Sequence, residues 1–296
     1  GCLELPKCGY HTIYYRFHDS GIPYLDRQHT DTVTIESPDG DEIPIQQKNI
    51  YTPRKNLGHL KSPAGSYKAQ YDAILTKATG IVDGIVSSGA TRSEARLFYE
   101  SVYRPAIEYT LPQSFLSPKQ LINIEKKTLP RLYARCGFNR NTARAVLQGP
   151  TDLGGGGFRP LQTTAGSGYV THFLKFFRSP QEDVGKLIRI SLAWAQYQSG
   201  LSYGILKHPW TPIEYVEGRY YQRLMAYLGD INGSITHSPS YVQPKLRSND
   251  RAIMEIALES DKFTETQLRR VNCVRMYLGF TFISELCSPN GKCIHP

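Results

Sequence analysis

The chain has 296 residues, 40% hydrophobic, 21% charged and 11% aromatic, and 35 Lys and Arg against 26 Asp and Glu leave a formal net charge of +9. This composition excludes a disordered, collagen-like or minimal disulfide-held chain, and the length allows two packed domains. The charge suits a polyanionic partner without requiring one. Residues 1–50 are net acidic, and the basic excess gathers in 101–150. Lys119, Lys126, Lys127, Arg131, Arg135, Arg140 and Arg144 face the single carboxylate Glu125 within 117–147. A solvated helix face explains that run as well as a nucleic-acid contact does.

No apolar stretch approaches bilayer length and residues 1–30 lack a signal-peptide core, so no membrane association and an intracellular location, nucleus or cytoplasm, are expected. Cys2, Cys8, Cys136, Cys273, Cys287 and Cys293 form no C-x-x-C pair, which fits a reducing compartment and mostly buried thiols. The chain starts at Gly1 without Met and enters strand-like sequence at once, which reads as a piece of something longer.

In chain order, Tyr10–Phe17 followed by the His18–Gly21 turn, and Thr32–Glu36 and Glu42–Gln46 flanking Ser37-Pro38-Asp39-Gly40, predict two β-hairpins. Tyr67, Tyr71, Leu75 and Ala78 then recur at helical spacing up to Ser88-Gly89. Thr91-Arg92-Ser93-Glu94 is a capping-box start for a helix over Ser93–Tyr109 bent near Pro105. A third helix is expected over Pro118–Cys136, bent or broken at Pro130. Gly149-Pro150 and Gly154–Gly157 mark a break between two halves. Beyond it, Val170, Phe173, Leu174 and Phe177, then Val184, Leu187, Ile188, Ser191, Leu192 and Ala195, read as packing faces. Residues 204–212 and 229–250 read as loops, and a last helix over Thr264–Leu286 turns Leu268, Val271, Leu278 and Phe282 inward.

Motifs for chemistry are sparse. The four glycines lack the Lys-Ser/Thr of a phosphate-binding loop, since Phe158 and Arg159 follow, and read as a flexible joint. Cys287, Cys293 and His295 supply only three of the four ligands of a structural zinc site, so no metal site is assigned. Asn232-Gly233-Ser234 reads as a turn. There is no G-x-S-x-G, no H-E-x-x-H and no adjacent Asp-Asp pair to hold two cations.

Several segments, taken in order, resemble the region that follows the catalytic Asp-Asp hairpin in reverse transcriptases of non-LTR (LINE-like) retrotransposons. Leu3-Glu4-Leu5-Pro6-Lys7-Cys8 resembles their lysine-bearing strand end, and Arg54–Leu60 resembles the Leu-Gly turn of their primer grip. Arg144–Pro150 with Leu153–Phe158 is similar to a thumb-terminal pattern, and Val271–Leu278 with Asn290–Ile294 to a C-terminal segment of retroelement open reading frames. The resemblance implies an α+β chain: 1–65 as the end of a polymerase palm with the primer-grip hairpin, 66–150 as a helical thumb, and 151–296 as a helical C-terminal extension. It implies a template–primer duplex of RNA and DNA as partner, together with fingers and palm of the same polypeptide lying before Gly1. The Mg²⁺ of such a polymerase would be held by aspartates this chain lacks, so the chain alone is expected to be inactive and to carry no cofactor. Lys7 would be the general acid on the pyrophosphate side. Leu57, Gly58, Lys61, Lys119, Lys126, Lys127, Arg131, Arg135, Arg140 and Arg144 would contact nucleic acid, by backbone contacts without base readout. The alternative is a non-catalytic nucleic-acid-binding or assembly protein, or an inactive retroelement remnant.

Overall fold

A computed structural model describes residues 9–19, 23–26, 32–36, 40–139, 141–260 and 262–288. The protein is α+β and mainly helical, and among the described residues its short strands lie in the first part of the chain. It separates into two compact units, 1–137 and 138–296.

The first unit begins with three antiparallel hairpins, each a separate two-stranded ladder. β1 (Tyr14–Phe17) pairs with β2 (Pro23–Asp26), and β3 (Val33–Glu36) with β4 (Glu42–Ile45). β1 is exposed along its whole length, including Tyr14, Tyr15 and Phe17. The third ladder joins β5 (Arg54–Asn56) to β6 (His59–Lys61). It docks on α1 (Lys68–Ser87), where the Leu60 N–H donates to Gln70 Oε1 at 2.7 Å.

α1 buries Gln70, Ile74, Ala78, Val82 and Ile85 and packs chiefly on α5 (Pro118–Arg135). The expected row through Tyr71 and Leu75 is half-buried at the flank, because Ile74, Val82 and Ile85 offer a more continuous apolar stripe. The capping box at Thr91 and Glu94 forms and starts α2 (Arg92–Phe98). A π-helical turn over Tyr99–Tyr103 then leads into α3 (Arg104–Glu108). Pro105 has no N–H and its ring crowds the preceding turn, so the wider π turn absorbs the bend the proline dictates. Tyr99 and Tyr103 fill the widened segment and are buried, and burial pushes the Tyr103 phenol well above its ordinary pKa. Outside, Arg96, Glu100, Arg104 and Glu108 form a ladder of i,i+4 ion pairs that crosses the irregularity.

After α4 (Leu111–Ser114), a capping box of Ser117 and Gln120, with Pro118 in the first turn, starts α5. Of the bend or break expected at Pro130, the break does not occur, and α5 runs on through the proline. Pro130 and Lys126 are both exposed, so the Lys126 carbonyl that loses its helical donor lies on the solvated side while Leu129 and Leu132 stay in the core.

In the second unit, Gly154 of the glycine run is exposed, but Gly155 and Gly156 are packed against backbone rather than jointed. After α6 (Arg144–Gln148) and a short 3₁₀ turn, the chain folds back on itself. Gly156 N–H donates to the Val146 carbonyl at 2.7 Å, Gly157 to Gly149 at 2.8 Å and Phe158 to Leu147 at 2.9 Å. These bonds satisfy carbonyls that the end of α6 leaves without helical partners. A Cβ on Gly155 would fall 2.2 Å from the Gly149 carbonyl oxygen, and one on Gly156 2.6 Å from that of Leu147. Glycine is required here by close backbone approach.

α7 (Leu161–Phe177) packs on α8 (Asp183–Ser199) and α9 (Arg219–Asp230) around Tyr169, Phe173, Leu192, Leu224 and Leu228. The expected α8 face is corrected in part: Leu192 and Ala195 are buried, but Val184 and Leu187 are exposed. Gly185 takes the inward position near the helix start because its backbone sits against the Ser179 carbonyl.

α10 (Ile253–Glu259) precedes α11 (Glu265–Leu278), which starts at a Thr264–Gln267 capping box. Gly279, at φ +74°, ends α11 ahead of the Leu286 expected, and Leu278 lies exposed. The interior of α11 is polar instead. Arg275 is 2% exposed, and its guanidinium donates to Asn272 Oδ1 (3.0 Å) and to the carbonyls of Phe280 (3.1 Å), Tyr197 (2.8 Å) and Gln198 (3.2 Å). A buried cation is tolerable because it meets carbonyls at the C-terminal end of α8, the negative end of that helix. Of the thiols described, Cys273 is exposed and Cys136 and Cys287 are half-buried, which corrects the expectation of buried cysteines. Among the described residues no helix is long and apolar enough to cross a membrane, and no three His, Cys, Asp or Glu gather as metal ligands.

Candidate nucleic-acid interface

The residues expected at a nucleic-acid contact fall into three groups. Lys7 and Arg140 lie outside the described residues. Arg144 opens α6 and is exposed, but belongs to the second unit. The others are in the first unit, on α5 and on the β5–β6 hairpin.

On α5, the sequence does not distinguish one cation from the next, but their surroundings do. Lys119, Lys126 and Lys127 are exposed and, among the described residues, have no carboxylate within ion-pair distance. Lys119 and Lys126 are seven residues apart, two turns and about 10 Å along the axis, and Lys127 stands beside them. Arg131 instead pairs with Asp83 of α1, and Arg135 donates to the Ser88 carbonyl at 2.6 Å. Both arginines tie α5 to the end of α1, and Arg135 is half-buried. The five cations therefore divide into three free lysines and two arginines already engaged in the fold.

The hairpin turn is built by Leu57 at φ +48° and Gly58 at φ +82°. Positive φ at both central residues is the backbone of a type I′ turn, which matches the twist of the flanking strands. Glycine adopts it without strain, whereas leucine has its Cβ crowded against the carbonyl. Leu57 is also 85% exposed, so no packing in this unit repays that strain. Lys55 and Lys61 are exposed on the two strands. Lys55 was missed as a candidate, although it stands two residues from the turn in the same Arg54–Leu60 segment.

His59 anchors the hairpin from below: it is buried, Nε2 lies 3.4 Å from Ser114 Oγ, and Nδ1 has no hydrogen-bond partner. Burial, then the charge of Lys61, hold its pKa below 6.5, against a smaller opposing pull from the Gln113 backbone. The geometry thus offers an apolar turn tip on a rigid base, flanked by lysines, and a separate row of three free lysines on α5.

No protein-family model, curated protein or solved structure matches the chain.

Proposed function

We propose that the first unit grips the sugar-phosphate backbone of a template–primer duplex, as the post-catalytic part of a retroelement RNA-directed DNA polymerase. The observation that carries this reading is the division of cations on α5. Lysines with no ion pair among the described residues break no intramolecular pair when they meet phosphates, and a separation of about 10 Å spans roughly three phosphates at a rise of 3.4 Å per strand residue. Contacts to phosphate alone suit an enzyme that must hold every sequence. The strained, exposed Leu57 supports the same reading, because a turn tip against a sugar or base edge gains apolar contact that solvent does not give.

In this reading Mg²⁺ and the acid–base work on the nucleotide belong to aspartates of a palm region, and the sequence holds no adjacent Asp-Asp pair to do it. Lys7 would act as the pyrophosphate-side acid of the assembled enzyme. The exposed Tyr14, Tyr15 and Phe17 of β1 would lie under that palm.

The test is binding of the chain to a fluorescently labelled RNA–DNA hybrid across a salt series. Binding that weakens steeply with salt and is indifferent to sequence is the expected result. Absence of binding at low salt, or binding insensitive to salt, overturns the proposal. Equal affinity for any polyanion, heparin included, would favour a general binding or assembly role over a polymerase thumb.

A further inference from the structure

The second unit carries a cleft unrelated to the basic face of α5. It lies between residues 209–214 and α9 and encloses about 300 Å³, the lower end of the range for ligand pockets. Its floor is apolar, with Ile213 and Met225 buried, and Pro209 and Pro212 form part of its wall. Trp210 stands at the wall 67% exposed, its ring held edge-on by His208 at 5.2 Å, and His208 is held in turn by Tyr203 at 4.8 Å.

The polar part of the lining is acidic. It includes Glu214 and Asp230 but no lysine, arginine or histidine. Among the described residues neither carboxylate has an ion-pair partner, although the chain as a whole carries +9. The Asp230 carboxylate is held by an uncharged donor, and Glu214 is held through its backbone. Gln162 Nε2 donates to Asp230 Oδ2 at 2.6 Å, and the Glu214 carbonyl accepts from Gln222 Nε2 at 3.2 Å and from Arg269 Nη2 at 2.5 Å.

We propose that this cleft binds the side chain of an arginine presented by a partner polypeptide. A guanidinium is planar, stacks on an indole face and donates two parallel bonds to a carboxylate, which matches a cleft lined by Trp210, Glu214 and Asp230. The proline and methionine surfaces cover the methylene stem. The two carboxylates repel phosphate, so the site discriminates against the polyanion proposed for the first unit, and the inference stands whether or not that reading holds.

The test titrates the full chain with a blocked heptapeptide bearing a central arginine and follows the indole N–H resonances of Trp194 and Trp210, told apart by Trp210→Phe. The expected result is a saturable shift confined to Trp210, weakened at least tenfold in the Glu214→Gln/Asp230→Asn double variant and with the matching citrulline peptide. Both substitutions are isosteric at exposed positions, and an unchanged far-UV circular dichroism spectrum confirms folding. No saturable shift, equal binding of the citrulline peptide, or undiminished binding by the double variant would each overturn the proposal.

Discussion

Replacing Lys119, Lys126 and Lys127 together by glutamine is the sharpest perturbation of the proposed duplex contact. None of the three has an ion-pair partner among the described residues and all are exposed, so folding stability should change by no more than about 0.5 kcal/mol per substitution. On duplex, each phosphate contact contributes about 0.9 to the slope of log affinity against log salt, so losing three flattens the slope by roughly 2.7. Over a fourfold rise in salt, from about 50 to 200 mM, that removes about 40-fold of the wild-type loss in affinity. Fluorescence anisotropy with a labelled RNA–DNA hybrid at five or six salt concentrations measures both slopes. Parallel lines for the wild type and the triple variant would refute the reasoning and leave the lysines as solvation for the helix. Arg131→Gln provides the internal contrast. It breaks an exposed pair with Asp83, worth about 0–1 kcal/mol, so its effect should appear mainly in the melting curve and little in the salt slope.

Four further outcomes follow from the fold. Leu57→Asn relieves a side chain poorly suited to φ +48° and should stabilise the hairpin by about 1 kcal/mol, while weakening duplex binding if the leucine makes contact; unchanged thermal stability would contradict the strain argument. His59 has a lowered pKa when folded, so the unfolded chain binds the extra proton first; its contribution is fully present above 6.5 and is lost as pH falls from there through the lowered folded value. His172 shifts the same way, so the comparison must be with His59→Gln, and urea midpoints that depend on pH identically in the two proteins would remove His59 as the cause. Gly156→Ala sets a methyl against the Leu147 carbonyl and should cost about 2–4 kcal/mol in urea unfolding, a loss that a flexible joint would not show. Arg275→Met removes the donor shared by the Phe280, Tyr197 and Gln198 carbonyls and should cost about 3–5 kcal/mol; a change below about 1 kcal/mol would show that water replaces it freely.

Where the physics is local, the sequence was informative. The capping box at Thr91 is a short-range exchange between a hydroxyl, a carboxylate and nearby backbone, and it forms where its residues stand; the box at Thr264 and Gln267 is equally local but was not read. The paired strands around Ser37–Gly40 were legible for the same reason, since turn chemistry is set by a few residues, whereas the third hairpin at Leu57-Gly58 was absent from the residue-based reading and came only with the resemblance.

What depends on residues far apart in sequence was decided only by the tertiary structure. Lys127 and Arg131 look equivalent along α5, yet Arg131 meets Asp83 from α1 and Lys127 meets solvent. The glycine run allows either a hinge or a close backbone approach, and the carbonyls of α6 selected the latter. Arg275 is buried because the C-terminal carbonyls of α8 close around it, and Leu187 reads as core until Gly185 takes the inward place. The sequence by itself determined a mainly helical α+β chain with a concentrated basic run. Tertiary packing decided which of those cations are free to meet a partner, because burial and pairing are set by contacts that periodicity does not encode.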